Sequence, residues 1–393
     1  MAKRIYFMKN NFISVDGNFQ EKADIEVECF SAIFDKESGR IIFFDGKTNC
    51  FYSLEPNTGE LEVVAFVRNE YKWAHYGTGI CTGEKEYWFP PCNSDDMIIL
   101  RKDKSIEKIH IDYGKNNEWR FSSILCVNGY VCLIPEMCDG VVRIDKNNGD
   151  QAWIDDWITE YEKQTSKIVK GPRKSRYGSY LIEGSKVIVP LLWSRYLMVL
   201  DTDTWESSFI DTGIEDSRGY LAVYGCGRKK YLISKEKNMI VVLNENEDVT
   251  KYYIELRNDT FGRSVSFNNK LLIFGAHSYQ VVVFDVESNS SKLFELDKND
   301  KNEISYNLSF SYVVKVSEKE LLAFDVNDHC VLRISSEDNW DSIEIRMVKL
   351  HYTKQSKELL IKNELNTSGI IKENREINLV DYLCYMGGDG END

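Results

Sequence analysis

An all-β chain is predicted by three features of the sequence. Apolar residues fall in short runs, such as 271–274 and 281–284, bounded by Gly, Asn, Asp and Ser, which is the pattern of strands joined by turns. The runs recur in sets of four at a spacing of roughly 40–50 residues, the period of a propeller blade. Proline is scarce, 6 residues in 393, which argues against disordered linkers between separate domains. Together they predict a seven-bladed β-propeller with a short helical insertion and a C-terminal helix. The expected domain is 1–386, with a flexible tail at 387–393.

The count of seven rests on the residue that closes the third strand of each unit: Glu55, Arg101, Asp145, Asp201, Asn244, Asp285 and Ser335. Inner strands open with an aromatic residue or Leu followed by a small one in most units: Phe30-Ser31, Tyr76-Gly77, Phe121-Ser122, Tyr177-Gly178, Phe261-Gly262 and Leu308-Ser309. A small residue suits a strand whose backbone crowds its neighbours near the channel. Second strands, at 40–44, 86–89, 130–134, 186–189, 230–233, 270–274 and 320–324, are the most apolar and are expected between blades. Third strands include 196–200, 239–243 and 280–284. Turns such as 201–204 lead to more polar fourth strands, whose outer side meets water.

The run 273–294, IFGAHSYQVVVFDVESNSSKLF, together with 196–205, YLMVLDTDTW, resembles a Kelch-type repeat: hydrophobic strand, glycine, strand, Asp, turn and Trp. Ala276 stands where Kelch units carry a second glycine, and Trp205 alone keeps the Trp. The resemblance implies a propeller and carries no particular Kelch function with it.

Two regions depart from the period. The insertion 151–175 places Trp153, Ile154, Trp157, Ile158 and Tyr161 at helical spacing, with acidic residues between them, and predicts an amphipathic helix. It would plug a blade edge or cover the channel mouth. At the ends, an extended hairpin-like segment is expected at 4–14 and extended strands within 357–372, helping to close the ring. A terminal helix is expected at 378–386.

A net charge of -14 disfavours nucleic acid and anionic membranes as partners. No run of about 18 apolar residues is present and the opening is too short for a secretory segment, so a cytoplasmic location is expected. Ten cysteines without a C-x-x-C pair read as structural thiols, and no metal or cofactor is called for. The chain is expected to be a monomer. Phosphate-loop, G-x-S-x-G and H-E-x-x-H motifs are absent, and Gly225-Cys226-Gly227 lacks the helix of a dinucleotide fingerprint.

In a propeller the connections into first strands and between second and third strands share one face, where sites are usually built. Just before or at the first strands stand His75, Arg120, Arg176, Arg218 and Arg263, which would converge as an anion-binding funnel. Alternatively, each pairs with a nearby carboxylate such as Glu118, Glu215, Asp216 or Asp259 and holds a loop. The second-to-third connections add Glu136, Asp139, Trp193, Arg195, His277, Tyr279 and His329, beside Asn93, Asp95 and Asp328. Trp193 and Tyr279 suit stacking on a sugar or clamping a peptide side chain, and His277 or His329 suits a general base with Glu136 or Asp139. The leading expectation is a non-catalytic propeller that binds a protein or an anionic small molecule on this face. The alternatives are a lyase or epimerase acting on an anionic sugar and a protein-interaction scaffold.

Overall fold

The computed structural model describes residues 4–8, 11–15, 27, 29–67, 75–82, 86–111, 120–136, 140–157, 179–191, 194–214, 219–234, 238–246, 248–254, 256, 259–295, 310–325 and 330–367. Seven antiparallel sheets follow one another along the chain, each with its strands in sequence order. They occupy 29–66, 80–110, 121–154, 181–211, 220–253, 261–295 and 310–348 and are numbered blades 1 to 7. The expected third-strand markers all fall at the ends of third strands, from Cys50–Leu54 before Glu55 to Cys330–Ser335. First strands lie next to one another around the axis: bridges join Thr78 to Ser123 and Ser179 to Ala222 in parallel, and the first strand of blade 7 lies against that of blade 1.

Each middle strand is buried on both faces, which is why it reads as a continuous apolar run rather than an alternating one. In blade 6, Leu272, Phe274, Val281 and Val283 pack toward blade 7, while Leu271, Ile273, Val282 and Phe284 pack toward blade 5. The same division closes the ring, since Phe43 and Tyr52 of blade 1 share a cluster with Leu322, Phe324 and Val331 of blade 7.

The aromatic-plus-small signature marks a β-bulge. The ladder between first and second strands slips between Cys29 and Ala32, Phe121 and Ser123, Tyr220 and Ala222, Phe261 and Arg263, and Phe310 and Tyr312. A bulge leaves a residue outside the ladder and turns the strand. At Gly262 a Cβ would stand 2.7 Å from the Cα of Ala276, so the second strand's end requires glycine there. In blade 7 the pair is Phe310-Ser311; the expected pair Leu308-Ser309 lies outside the described residues, as does Tyr177-Gly178.

The chain's end returns to its first blade. His351–Tyr352 adds in parallel to Glu60–Phe66 as a fifth strand. A helix, α1, follows at Lys354–Thr367. Thr353 caps it, its hydroxyl accepting the Ser356 N–H at 3.1 Å, and the Val63 N–H of the outer strand donates to Ser356 Oγ at 2.8 Å. Residues 357–362, expected as extended, are therefore helical: Lys, Glu and Leu are good helix formers, and the Thr353 cap outweighs the short apolar run 359–361. Positions 370–372 and the expected terminal helix at 378–386 lie outside the described residues. Arg4–Met8 and Asn11–Val15 pair as a separate two-stranded sheet.

The helical reading of the insertion also needs correction at its start. Gln151–Ile154 is the fourth strand of blade 3, paired with its third strand, so Trp153 and Ile154 obey a strand period. Ile154 and Trp157 are buried between blades 3 and 4. The rest of the insertion, 158–175, lies outside the described residues. The eight described cysteines are free thiols. Among the described residues no helix is long and apolar enough to cross a membrane.

Candidate functional site: a clasped rim and a polar throat

The rim of the funnel face is built by one repeated backbone bond. In blades 2, 3 and 6 the residue before the first strand's aromatic offers its carbonyl to a residue at the start of the same blade's second-to-third connection. Cys92 donates to His75 at 3.0 Å, Glu136 to Arg120 at 2.6 Å and Ala276 to Thr260 at 2.7 Å. His75, Arg120 and Thr260 are therefore equivalent. Arg263 is not: it lies three residues further on, past the bulge, paired opposite Phe274. The five expected cations thus do not form one ring, because the bulge separates rim from channel. Arg176 and Arg218 lie outside the described residues, as do Asp139, Trp193, Asp328 and His329.

Charge on the rim is largely consumed within it. Arg120, 8% exposed, donates through one guanidinium nitrogen to the Ser94 carbonyl and to Asp95 Oδ1, both at 2.7 Å, bolting blade 3 to the loop of blade 2. Arg195 pairs with Asp211 at 2.8 Å and lies over the Tyr196 ring. His75 donates its backbone N–H to Asn93 Oδ1 at 2.5 Å, and its ring meets Phe30 edge-on at 4.6 Å. The Cys92 thiol points to Glu136 at 3.9 Å. In blade 6, Asp259 receives the backbone N–H of His277 at 3.1 Å and the Ser278 hydroxyl at 2.5 Å. Tyr279 donates to Asp325 Oδ1 at 2.9 Å and packs edge-on against Phe310, tying blade 6 to blade 7. Of the carboxylates expected to neutralise arginines, Asp259 holds a loop, while Glu118, Glu215 and Asp216 lie outside the described residues; Arg120 pairs with Asp95.

Below the rim, the first position past the bulge forms a second level. Ser123, Ala222, Arg263 and Tyr312 each pair one residue before the end of the second strand, at Ile134, Ile233, Phe274 and Phe324. Ser31 takes the corresponding place in blade 1, where the ladder slips between Cys29 and Ala32. Thr78 and Ser179, bridged in parallel to Ser123 and Ala222, bring in blades 2 and 4. These positions form one level with one residue per blade, hydroxyl-bearing in five blades, cationic in one and, in blade 5, an alanine packed in the core it shares with blade 6.

Tyrosines crowd this level. Tyr312 bonds the Thr78 hydroxyl and the Ala32 backbone N–H, crossing from blade 7 to blades 1 and 2. Its phenol is raised by burial above all, and the Arg263 charge works in the opposite direction. Burial pushes Tyr224 up to about 12, and its hydroxyl lies 2.9 Å from Ser264 Oγ. Tyr180 donates to the Ile124 carbonyl at 3.0 Å. The buried Cys29 thiol is raised well above its ordinary value by burial and feels the Arg263 guanidinium. Tyr224, Tyr312, Ser31 and Ser123 were missed by sequence reasoning. The signal available was their place just past the bulge: one residue after Phe30 for Ser31, two after Phe121 and Phe310 for Ser123 and Tyr312, and four after Tyr220 for Tyr224.

No protein-family profile and no curated relative matches the chain. Solved propellers do. A catalytically inactive virginiamycin B lyase from Staphylococcus aureus with quinupristin superposes with a TM-score of 0.60 at 9% identity, covering 78% of this chain and 94% of that one. A streptogramin B lyase gives 0.55 at 13% identity over 79% and 91%. YCF48 bound to a D1 peptide gives 0.54 at 10% identity over 79% and 94%. These likenesses establish a seven-bladed β-propeller; the Kelch resemblance gains no family match. Fold alone does not select among a lyase, a peptide binder and other roles.

Proposed function

We propose that this chain is a non-catalytic binding propeller that docks a partner, most simply a protein segment, on the funnel face. The observation that carries this reading is the clasped rim. Arg120 and Arg195 are committed to Asp95 and Asp211, and His75 and His277 engage Asn93 and Asp259 through backbone N–H groups. Groups fixed by their neighbours give a pre-organised surface, which lowers the entropy cost of association. YCF48, a propeller of similar fold, carries a bound peptide, which is in keeping with this use of the architecture. The lyase neighbours contribute fold and no reaction.

A photo-crosslinking residue at position 277, on this face, is compared with one at 148, in an exposed turn of the opposite face, in cells that produce the chain. A discrete adduct at 277 and none at 148 is expected. Adducts at 148 alone, or at neither position, contradict the reading.

A further inference from the structure

The outermost strand of a sheet leaves a row of unpaired N–H and C=O groups, and a propeller has one such edge per blade. In this chain most of those edges are occupied. On blade 1 the chain's own end is the added strand: the N–H groups of His351 and Thr353 donate to the Gly59 and Leu61 carbonyls at 3.0 and 3.1 Å, and Ser356 Oγ accepts the Val63 N–H. Arg4–Met8 lies against the outer strand of blade 6 and Asn11–Val15 against that of blade 7. Blades 2 and 4 are capped from blade 3, where Gln151 donates to the His110 carbonyl at 2.8 Å and Asp156 accepts the Ser207 hydroxyl at 3.0 Å. The outer strand of blade 3, Gln151–Ile154, is the shortest, and its Trp153 leans on Phe121.

Blade 5 is different. Its outer strand, Val249–Tyr253, ends its sheet, and the bonds at either end fix which groups face out: the Asp248 carbonyl accepts the Asn244 N–H, and Ile254 donates to the Asn238 carbonyl. Antiparallel ladders alternate, so Val249, Lys251 and Tyr253 turn their N–H and C=O groups away from the sheet. Counted from the matching turn bond in blade 1, where the Glu60 carbonyl accepts the Glu55 N–H, Val249 and Lys251 stand at the places of Leu61 and Val63, which the chain's end occupies. Tyr253 is 69% exposed, Val249 37%, and Lys251 between them is exposed and has no ion pair among the described residues. Lying opposite Met239, Val241 and Leu243, the three side chains share the face of blade 5 that looks toward blade 4.

We propose that the outer strand of blade 5 is a second docking edge, which takes an extended peptide segment of a partner as a fifth strand. The segment carries an acidic residue beside Lys251 and, at alternate positions on either side of it, apolar residues against Val249 and Tyr253. Backbone bonds to the three outward residues give the pairing, and the order aliphatic, cation, aromatic selects the sequence. A partner on this edge is independent of one on the funnel face. An edge lysine also serves in some sheets to block strand addition, and the two roles predict opposite results.

The probe is a display library of random peptides about nine residues long, selected on the full wild-type chain, with enriched peptides titrated by fluorescence anisotropy. Tyr253→Pro removes the exposed ring and one outward N–H but no ladder bond, and thermal unfolding checks that it folds. Enriched peptides should carry the apolar–x–acidic–x–apolar pattern and bind at least about tenfold more weakly to Tyr253→Pro and to Lys251→Glu. Replacing their acidic residue by lysine should restore binding to Lys251→Glu. Failure to enrich any peptide, or enrichment only of peptides indifferent to Tyr253→Pro, overturns the proposal. A dimer in sedimentation that Tyr253→Pro abolishes assigns the edge to a second copy of the chain and overturns it too.

Discussion

Arg120 and Arg263 stand on opposite sides of the first-strand bulge, at neighbouring levels of their blades. Arg120 stands one residue before the bulge aromatic Phe121, and its guanidinium is folded back onto Asp95 and the Ser94 carbonyl of the adjacent blade. Arg263 stands two residues after Phe261, past the bulge, at the level of unpartnered hydroxyls. The difference teaches that in this propeller the bulge sets which neighbours a cation meets. Before it, Arg120 reaches the loop of the adjacent blade; after it, Arg263 lies among first-strand residues, close enough to Cys29 and Tyr312 to act on both electrostatically.

The strongest way to break that division is to destroy the bulge. Gly262→Val would drive a Cβ into the Ala276 backbone and is expected to cost about 3 kcal/mol, read as a lowered midpoint in denaturant unfolding. Next comes the rim clamp. Arg120→Met leaves Asp95 and a carbonyl without their donor, and because Asp95 is partly exposed the loss should be about 2 kcal/mol rather than the full cost of a buried pair. Away from the face, Ser356→Ala removes the acceptor of the Val63 N–H and should cost about 1 kcal/mol, loosening the blade 1 edge in hydrogen exchange. Arg195→Gln, a half-exposed rim pair, should change stability by less than about 1 kcal/mol.

The smallest effect carries the opposite sign and sharpens the comparison most. Ser31→Ala deletes a buried hydroxyl that bonds nothing, so in chloride it should be neutral or raise stability by a few tenths of a kcal/mol, roughly.

Blade number and strand positions were legible because the blades repeat one physical pattern: two strands buried on both faces, a polar outer strand and, in most blades, an aromatic near the start of the first strand, which bulges in blades 1, 3, 5, 6 and 7. Glu55 through Ser335 could be read off for that reason. Contacts between blades were not legible. Arg120 finds Asp95 across 25 residues of chain and a blade boundary, a pairing that sequence neighbourhood does not suggest. Treating Arg263 as a rim residue failed because a bulge shifts register by one without changing composition. The Trp153-Ile154 pair was misread because Ile154 and Trp157 also fit a helical spacing, and pairing with the third strand of blade 3 overrides it. At 357–362, weight on three apolar residues hid the Thr353 cap.

The most direct measurement is phenylglyoxal labelling of arginines in the folded chain, mapped by mass spectrometry in wild type and in Asp95→Asn. Arg120, 8% exposed and bound on two sides, should label far more slowly than the exposed Arg228 in wild type and faster once Asp95 is neutralised. Labelling of Arg120 as fast as that of Arg228 in wild type, or unchanged in Asp95→Asn, would contradict the clasped rim.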